Sequence, residues 1–133
     1  MVFRPLAAAA FAALLLAAPA HAQTVTAKRV NVDTYTSCFL VMPVAGGGIE
    51  CSSTALPDTG ELDPYVALHR HGKVHVGERG DYPGFPGRNV RLRDGDVWKI
   101  AGVTCRVKDR TITCRNQDRH GFRLGTSSGF SRF

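Results

Sequence analysis

Val103-Thr-Cys-Arg-Val-Lys-Asp-Arg-Thr-Ile-Thr-Cys-Arg115 is the stretch whose reading decides the fold. Apolar and polar residues alternate on both sides of Asp109-Arg110, the period of a half-buried strand rather than of a helix. With those two residues as a hairpin turn, Lys108 faces Thr111, Val107 faces Ile112, Arg106 faces Thr113 and Cys105 faces Cys114. The cysteine pair then falls on a non-hydrogen-bonded position, where opposed Cα atoms approach to about 4.5 Å, within reach of a disulfide. The pleat puts Cys105, Val107, Ile112 and Cys114 on an inward face, and Thr104, Arg106, Thr113 and Arg115 on an outward one. Asp-Arg is not a favoured two-residue turn, so a longer connection stays open at this point.

The chain has four cysteines, and the other two follow the same logic. Cys38 and Cys51 bracket Phe39-Leu-Val-Met-Pro-Val-Ala-Gly-Gly-Gly-Ile-Glu50, which reads as a second hairpin with the glycines at its bend. Pairings 38–51 and 105–114 are expected. Each closes a short loop and stabilises by roughly 2–3 kcal/mol. A zinc site would need ligands two to four residues apart, and no such cysteine pair exists. No metal and no cofactor are expected.

Oxidised cysteines require an oxidising compartment, and the N-terminus supplies the route. Arg4 precedes a 13-residue apolar run from Leu6 to Ala18, and Ala20-His21-Ala22 is an A-x-A cleavage site. Residues 1–22 read as a secretory signal peptide, and 23–133 as one disulfide-stapled domain. The run is too short to span a membrane. The expected location is secreted or periplasmic, without a membrane span.

Working outward from the cysteines, nearly every segment reads as strand or turn. Val25–Thr36 suggests a strand with one irregularity, and Ser52–Pro64 an acidic loop. Tyr65–His69 and Lys73–Gly77 suggest a hairpin about Gly72, and Gly77–Arg88 a long irregular loop. Asn89–Arg93 and Asp96–Ile100 flank Asp94-Gly95, the strongest hairpin signal in the chain. A last strand is expected at Gly121–Leu124. Nine or ten short strands with no helical period give an all-β class, a small antiparallel sandwich or barrel with two hairpin disulfides. No internal repeat is legible. Alternation also places Trp98 with Ile100 on a buried face.

Leu92-x-x-Gly95-x-x-Trp98, Gly102-Val-Thr-Cys105, Ile112-Thr-Cys-Arg-Asn116, His120-Gly-Phe122 and the ending Phe130-Ser-Arg-Phe133 follow one another in the C-terminal half. Together they resemble an uncharacterised domain family of small exported bacterial proteins, mainly actinobacterial, over about Leu92 to Phe133. The similarity extends weakly to Gly48-Ile-Glu-Cys51. Two departures stand out: the family's additional central cysteine pair is absent, and residue 119 is Arg where Gly is common. The resemblance implies secretion and disulfides. It supplies no catalytic residue.

Charge is uneven. Residues 23–87 hold five basic and seven acidic side chains, whereas residues 88–133 hold eleven and four. Arg91, Arg93, Arg106, Lys108, Arg110, Arg115, Arg119 and Arg123 are the candidate polyanion-binding set, with an anionic envelope polymer or an acidic protein as partner. No nucleic-acid motif is present. His69, His71 and His75 invite a metal, but a turn at Gly72-Lys73 puts His75 on the face opposite the other two. They are therefore read as surface histidines, and Asp58, Glu61 and Asp63 as a solvated acidic loop. Tyr82 and Phe85, in Tyr82-Pro-Gly-Phe-Pro-Gly87, are the candidate partner loop. No G-x-S-x-G elbow or paired carboxylates suggest hydrolysis. The reading is a binding or structural domain. Its alternatives are an inhibitor or toxin-like ligand using the 82–87 loop, and a small secreted hydrolase.

Overall fold

The hairpin register derived from the cysteines is the one the chain adopts. The computed structural model describes residues 22–42, 47–58, 60–80 and 88–133. Strands β9 (Val103–Lys108) and β10 (Thr111–Arg115) pair antiparallel with Cys105 opposite Cys114, Arg106 opposite Thr113 and Lys108 opposite Thr111. Asp109 and Arg110 have φ of 51° and 58°, so the turn is a two-residue one with both central residues left-handed. That is the type I′ geometry whose twist matches a hairpin, and here it forms without glycine. β3 (Thr36–Val41) and β4 (Gly48–Ser53) likewise oppose Cys38 and Cys51. Both disulfides form, each with its Cα atoms 4.0 Å apart and its cysteines buried.

Twelve strands, and no helix among the described residues, build two six-stranded sheets. The remaining strands are β1 (Thr24–Val25), β2 (Arg29–Asn31), β5 (Asp63–His69), β6 (His75–Arg79), β7 (Asn89–Arg91), β8 (Val97–Ile100), β11 (Gly121–Gly125) and β12 (Gly129–Arg132). One sheet runs β1-β8-β9-β10-β11-β12 and the other β6-β5-β4-β3-β2-β7. We call them the C-sheet and the N-sheet. One shared core includes Val30, Ile49, Val66 and Leu68 from the N-sheet and Trp98, Val107, Ile112, Phe122 and Leu124 from the C-sheet. The architecture is a β-sandwich.

The expected all-antiparallel pairing is corrected at one edge of each sheet. β1 pairs parallel with β8, and β2 pairs parallel with β7. Thus each half of the chain contributes its first strand to the sheet of the other half and then runs an antiparallel meander of five. The registers match as well. Val90, Val30, Cys38, Cys51, Val66 and Val76 form one row across the N-sheet. Val25, Trp98, Cys105, Cys114, Phe122 and Arg132 form the corresponding row across the C-sheet. The repeat that the sequence conceals is present in the topology.

The strand exchange explains a second correction. Asp94-Gly95 does not close a hairpin, because β7 and β8 lie in different sheets. Asp96 N–H donates to the Arg93 carbonyl at 2.9 Å, and only Gly95 has positive φ (90°). That is the type II pattern, which splays flanking strands and here turns the chain from one sheet to the other. Asp96 holds the corner, accepting from Arg93 N–H and from Gln23 N–H at 2.8 and 3.0 Å. The true partner of β8 is β9, joined through Ala101-Gly102 with φ of 49° and 76°. The irregularity in Val25–Thr36 is the matching crossover between β1 and β2. There the Ala27 carbonyl accepts the Trp98 indole N–H at 2.7 Å.

The third correction is the β5–β6 register. Val66 pairs with Val76 and Ala67 with His75, so the connection is wider than a turn at Gly72-Lys73. The loop is drawn open by the β10–β11 turn of the other sheet. Buried Asn116 donates to the His69 and Gly72 carbonyls at 3.0 and 2.7 Å, and Gln117 N–H donates to the Arg70 carbonyl at 3.1 Å. The irregular segment also begins later than Gly77, since β6 continues to Arg79.

Candidate polyanion interface

Strand alternation gives the C-sheet an outward face whose content follows from the register. Three successive cross-strand rows carry Lys99, Thr104 and Arg115, then Arg106, Thr113 and Arg123, then Lys108 and Thr111. Lys99, Arg106, Lys108, Arg115 and Arg123 are all exposed. No Asp or Glu lies on these strands, and none of the five cations has an ion pair among the described residues. Arg115 stacks on the Phe133 ring, 5.2 Å from its centroid. Two shallow grooves meet at Arg106 and Thr113. One is completed by Thr104, Arg115 and Asn116; the other by Lys108, Asp109, Thr111, Arg123, Ser127 and Ser128.

Of the candidate cations, Arg106, Lys108, Arg115 and Arg123 share this face, and Arg110 stands in the turn beside it. Arg91 lies on β7 in the N-sheet, Arg93 at the corner before β8, and Arg119 in the β10–β11 turn at φ 65°. Lys99 was not singled out by sequence. Its signal was Ala101-Gly102, a left-handed pair that sets Lys99 opposite Thr104. Tyr82 and Phe85 lie outside the described residues, as do residues 1–21 of the expected signal peptide and the bend residues 43–46.

The outward face of the N-sheet is built differently. Phe39, Glu50, Ala67 and His75 form a row across β3 to β6, and Phe39 and Glu50 are only 4% and 7% exposed. Arg79 donates to Glu50 Oε1 at 2.6 Å and stacks on the Tyr65 ring, while Glu50 Oε2 is buried without a hydrogen-bond partner. Burial pushes the Glu50 carboxyl above its ordinary value, with Arg79 and the neighbouring His69 and His75 pulling the other way. His69 and His75 therefore share a face, correcting the separation expected from the narrower turn. His71 instead contacts Asp118 at 3.0 Å. That contact and a bond from Gly72 N–H hold the Asp118 carboxyl below its usual range. Among the described residues no group of three or more His, Cys, Asp or Glu is placed to hold a metal ion.

Among the described residues no helix is long and apolar enough to cross a membrane. No family model matches the chain, and comparison with curated proteins and with solved structures returns no match either.

Proposed function

We propose that the protein is an exported, disulfide-stapled binding domain whose C-sheet face holds anionic envelope polymers. The observation that carries this reading is the five-cation face, free of carboxylates on its strands and without ion pairs among the described residues. Unneutralised like charge held on one sheet face concentrates polyanions, at only a small, salt-screened cost to the fold. Export is supported by two formed disulfides and by the Leu6–Ala18 run with its A-x-A site.

Retention on an anionic envelope polymer tests it. The protein should bind at low ionic strength and elute as salt rises, because each neutralised cation releases counterions. Arg106→Glu with Arg123→Glu should abolish retention, while Arg91→Glu on the N-sheet should leave most of it. A stoichiometric protein complex that survives high salt would replace this reading with the inhibitor one. Mass spectrometry of exported material should show Gln23 first and no free thiols; an intact Met1 in that material removes the export argument.

A further inference from the structure

Thr113 occupies the middle of the basic face, with Arg106 directly across on β9 and Arg123 directly across on β11. Arg115 lies two residues along the same strand and on the same side. From strand spacing, Arg106 and Arg123 are about 10 Å apart at Cα, and Arg115 about 8 Å from each. Thr113 is half-buried and short, so three exposed guanidinium groups surround a floor bearing one hydroxyl. The Arg115 guanidinium carbon lies 5.2 Å from the Phe133 ring centroid, and its N–H groups have no hydrogen-bond partner among the described residues.

We propose that Arg106, Arg115 and Arg123 around Thr113 form a subsite for a phosphomonoester group carried on an envelope glycan. The inference rests on the polyanion reading and names the anion it favours. Donor counting selects the chemistry. Three guanidinium forks and a hydroxyl present more N–H and O–H groups than the roughly four lone-pair positions of a carboxylate can accept. A phosphomonoester offers three strong acceptor oxygens and nearly two negative charges, and its tetrahedral shape receives donors from several directions. Fixed forks match such oxygens bidentately, which a lysine ammonium does not. A glycan, rather than a lipid surface, fits the scarcity of exposed apolar side chains on this face. The exposed large apolar side chains among the described residues are Tyr35, Met42, Leu62 and Phe133. Only Phe133 lies beside this face, and it is stacked with Arg115.

The experiment titrates the disulfide-bonded protein with phosphorylated dextran, with polygalacturonate matched in charge density, and with vesicles containing phosphatidic acid. The comparison protein replaces all three arginines (Arg106→Lys, Arg115→Lys and Arg123→Lys), with folding checked by circular dichroism. Wild type should prefer phosphorylated dextran over polygalacturonate by about tenfold or more. The lysine variant should keep salt-dependent binding to polygalacturonate and lose that preference. Equal affinity of wild type for both polymers, or a preference retained by the lysine variant, overturns the phosphoryl subsite while leaving the polyanion reading intact. Absence of binding to either polymer at low salt overturns both. Binding to the vesicles without binding to phosphorylated dextran overturns the glycan as the carrier.

Discussion

The two sheets share a frame and differ in what they show to solvent. Each has a parallel edge pair made by an exchanged strand, and each has a buried disulfide between its third and fourth strands from that edge. Register then equates Arg106, Thr113 and Arg123 on the C-sheet with Phe39, Glu50 and Ala67 on the N-sheet. At the central position one sheet presents a threonine ringed by open cations. The other holds a carboxylate that Arg79 has already neutralised and burial has closed off. The same scaffold thus satisfies one outer face internally and leaves the other in need of a counter-charge. Substitutions at equivalent positions turn this contrast into measurements.

The largest difference should come from the core row, where Val30 and Trp98 are equivalent and both fully buried. Trp98→Ala removes the largest buried side chain and frees the Ala27 carbonyl, and should cost about 3–5 kcal/mol. Val30→Ala should cost about 2 kcal/mol. Denaturant midpoints read both, and native tryptophan emission should be blue-shifted, moving red on unfolding. Equal losses at the two positions would mean that the halves do not share their core in the way the register implies.

Next are the disulfides. Loops of 13 and 9 residues differ little in closure entropy, so removing either bridge as a double Cys→Ala variant should cost roughly 3 kcal/mol, the N-sheet one more by only a few tenths. Proteolysis of the unreduced protein should release a 38–51 and a 105–114 linked peptide. A much larger loss from one side would show that one sheet templates the other.

The outer faces come third. Arg79→Ala leaves Glu50 buried and unpaired. About 2–3 kcal/mol is expected at neutral pH, below the cost for a fully buried pair because 28% of the Arg79 side chain is exposed. Glu50→Gln should behave oppositely. The folded carboxyl titrates above its ordinary value, so its contribution to stability is full below the unfolded pKa and lost as pH rises through the folded pKa. The glutamine variant should therefore match wild type in acid and equal or exceed it at pH 7. A large loss from Glu50→Gln at pH 7 would show that the Arg79 bridge outweighs burial.

Legibility followed range of interaction. The Cys105–Cys114 register, the inward set around it and the burial of Trp98 are local consequences of alternation, and they could be read directly. The strand exchange could not, because Asp94-Gly95 serves a type II corner as readily as a type I′ hairpin. What selects the corner is a distant bond, Leu92 N–H to the Asn31 carbonyl at 2.9 Å. The β5–β6 register was misread for the same reason, since Asn116 lies 44 residues from Gly72. The candidate site was half legible: one hairpin fixed Arg106 and Arg115, whereas Lys99 and Arg123 joined them only through pairings on either side.

The smallest effect should come from the basic face itself. Arg106→Thr removes an exposed side chain with no hydrogen-bond or ion-pair partner among the described residues, and threonine suits an outward strand position. Arg106 is about 8 Å from Arg115 and about 7 Å from Lys108 by strand geometry. Unscreened repulsion at such distances is about 0.5 kcal/mol per pair in water. The variant should accordingly match wild type within about 0.5 kcal/mol near physiological ionic strength and gain slightly at low salt. That gain should vanish at high salt, where the charges are screened. A clear loss of stability at every salt concentration would mean that Arg106 is held by packing as Glu50 is, and the contrast between the two faces would fail. Unchanged or improved stability together with weakened polymer retention is the expected pair of results, since a face kept open for a ligand gains nothing from its cations until the ligand arrives.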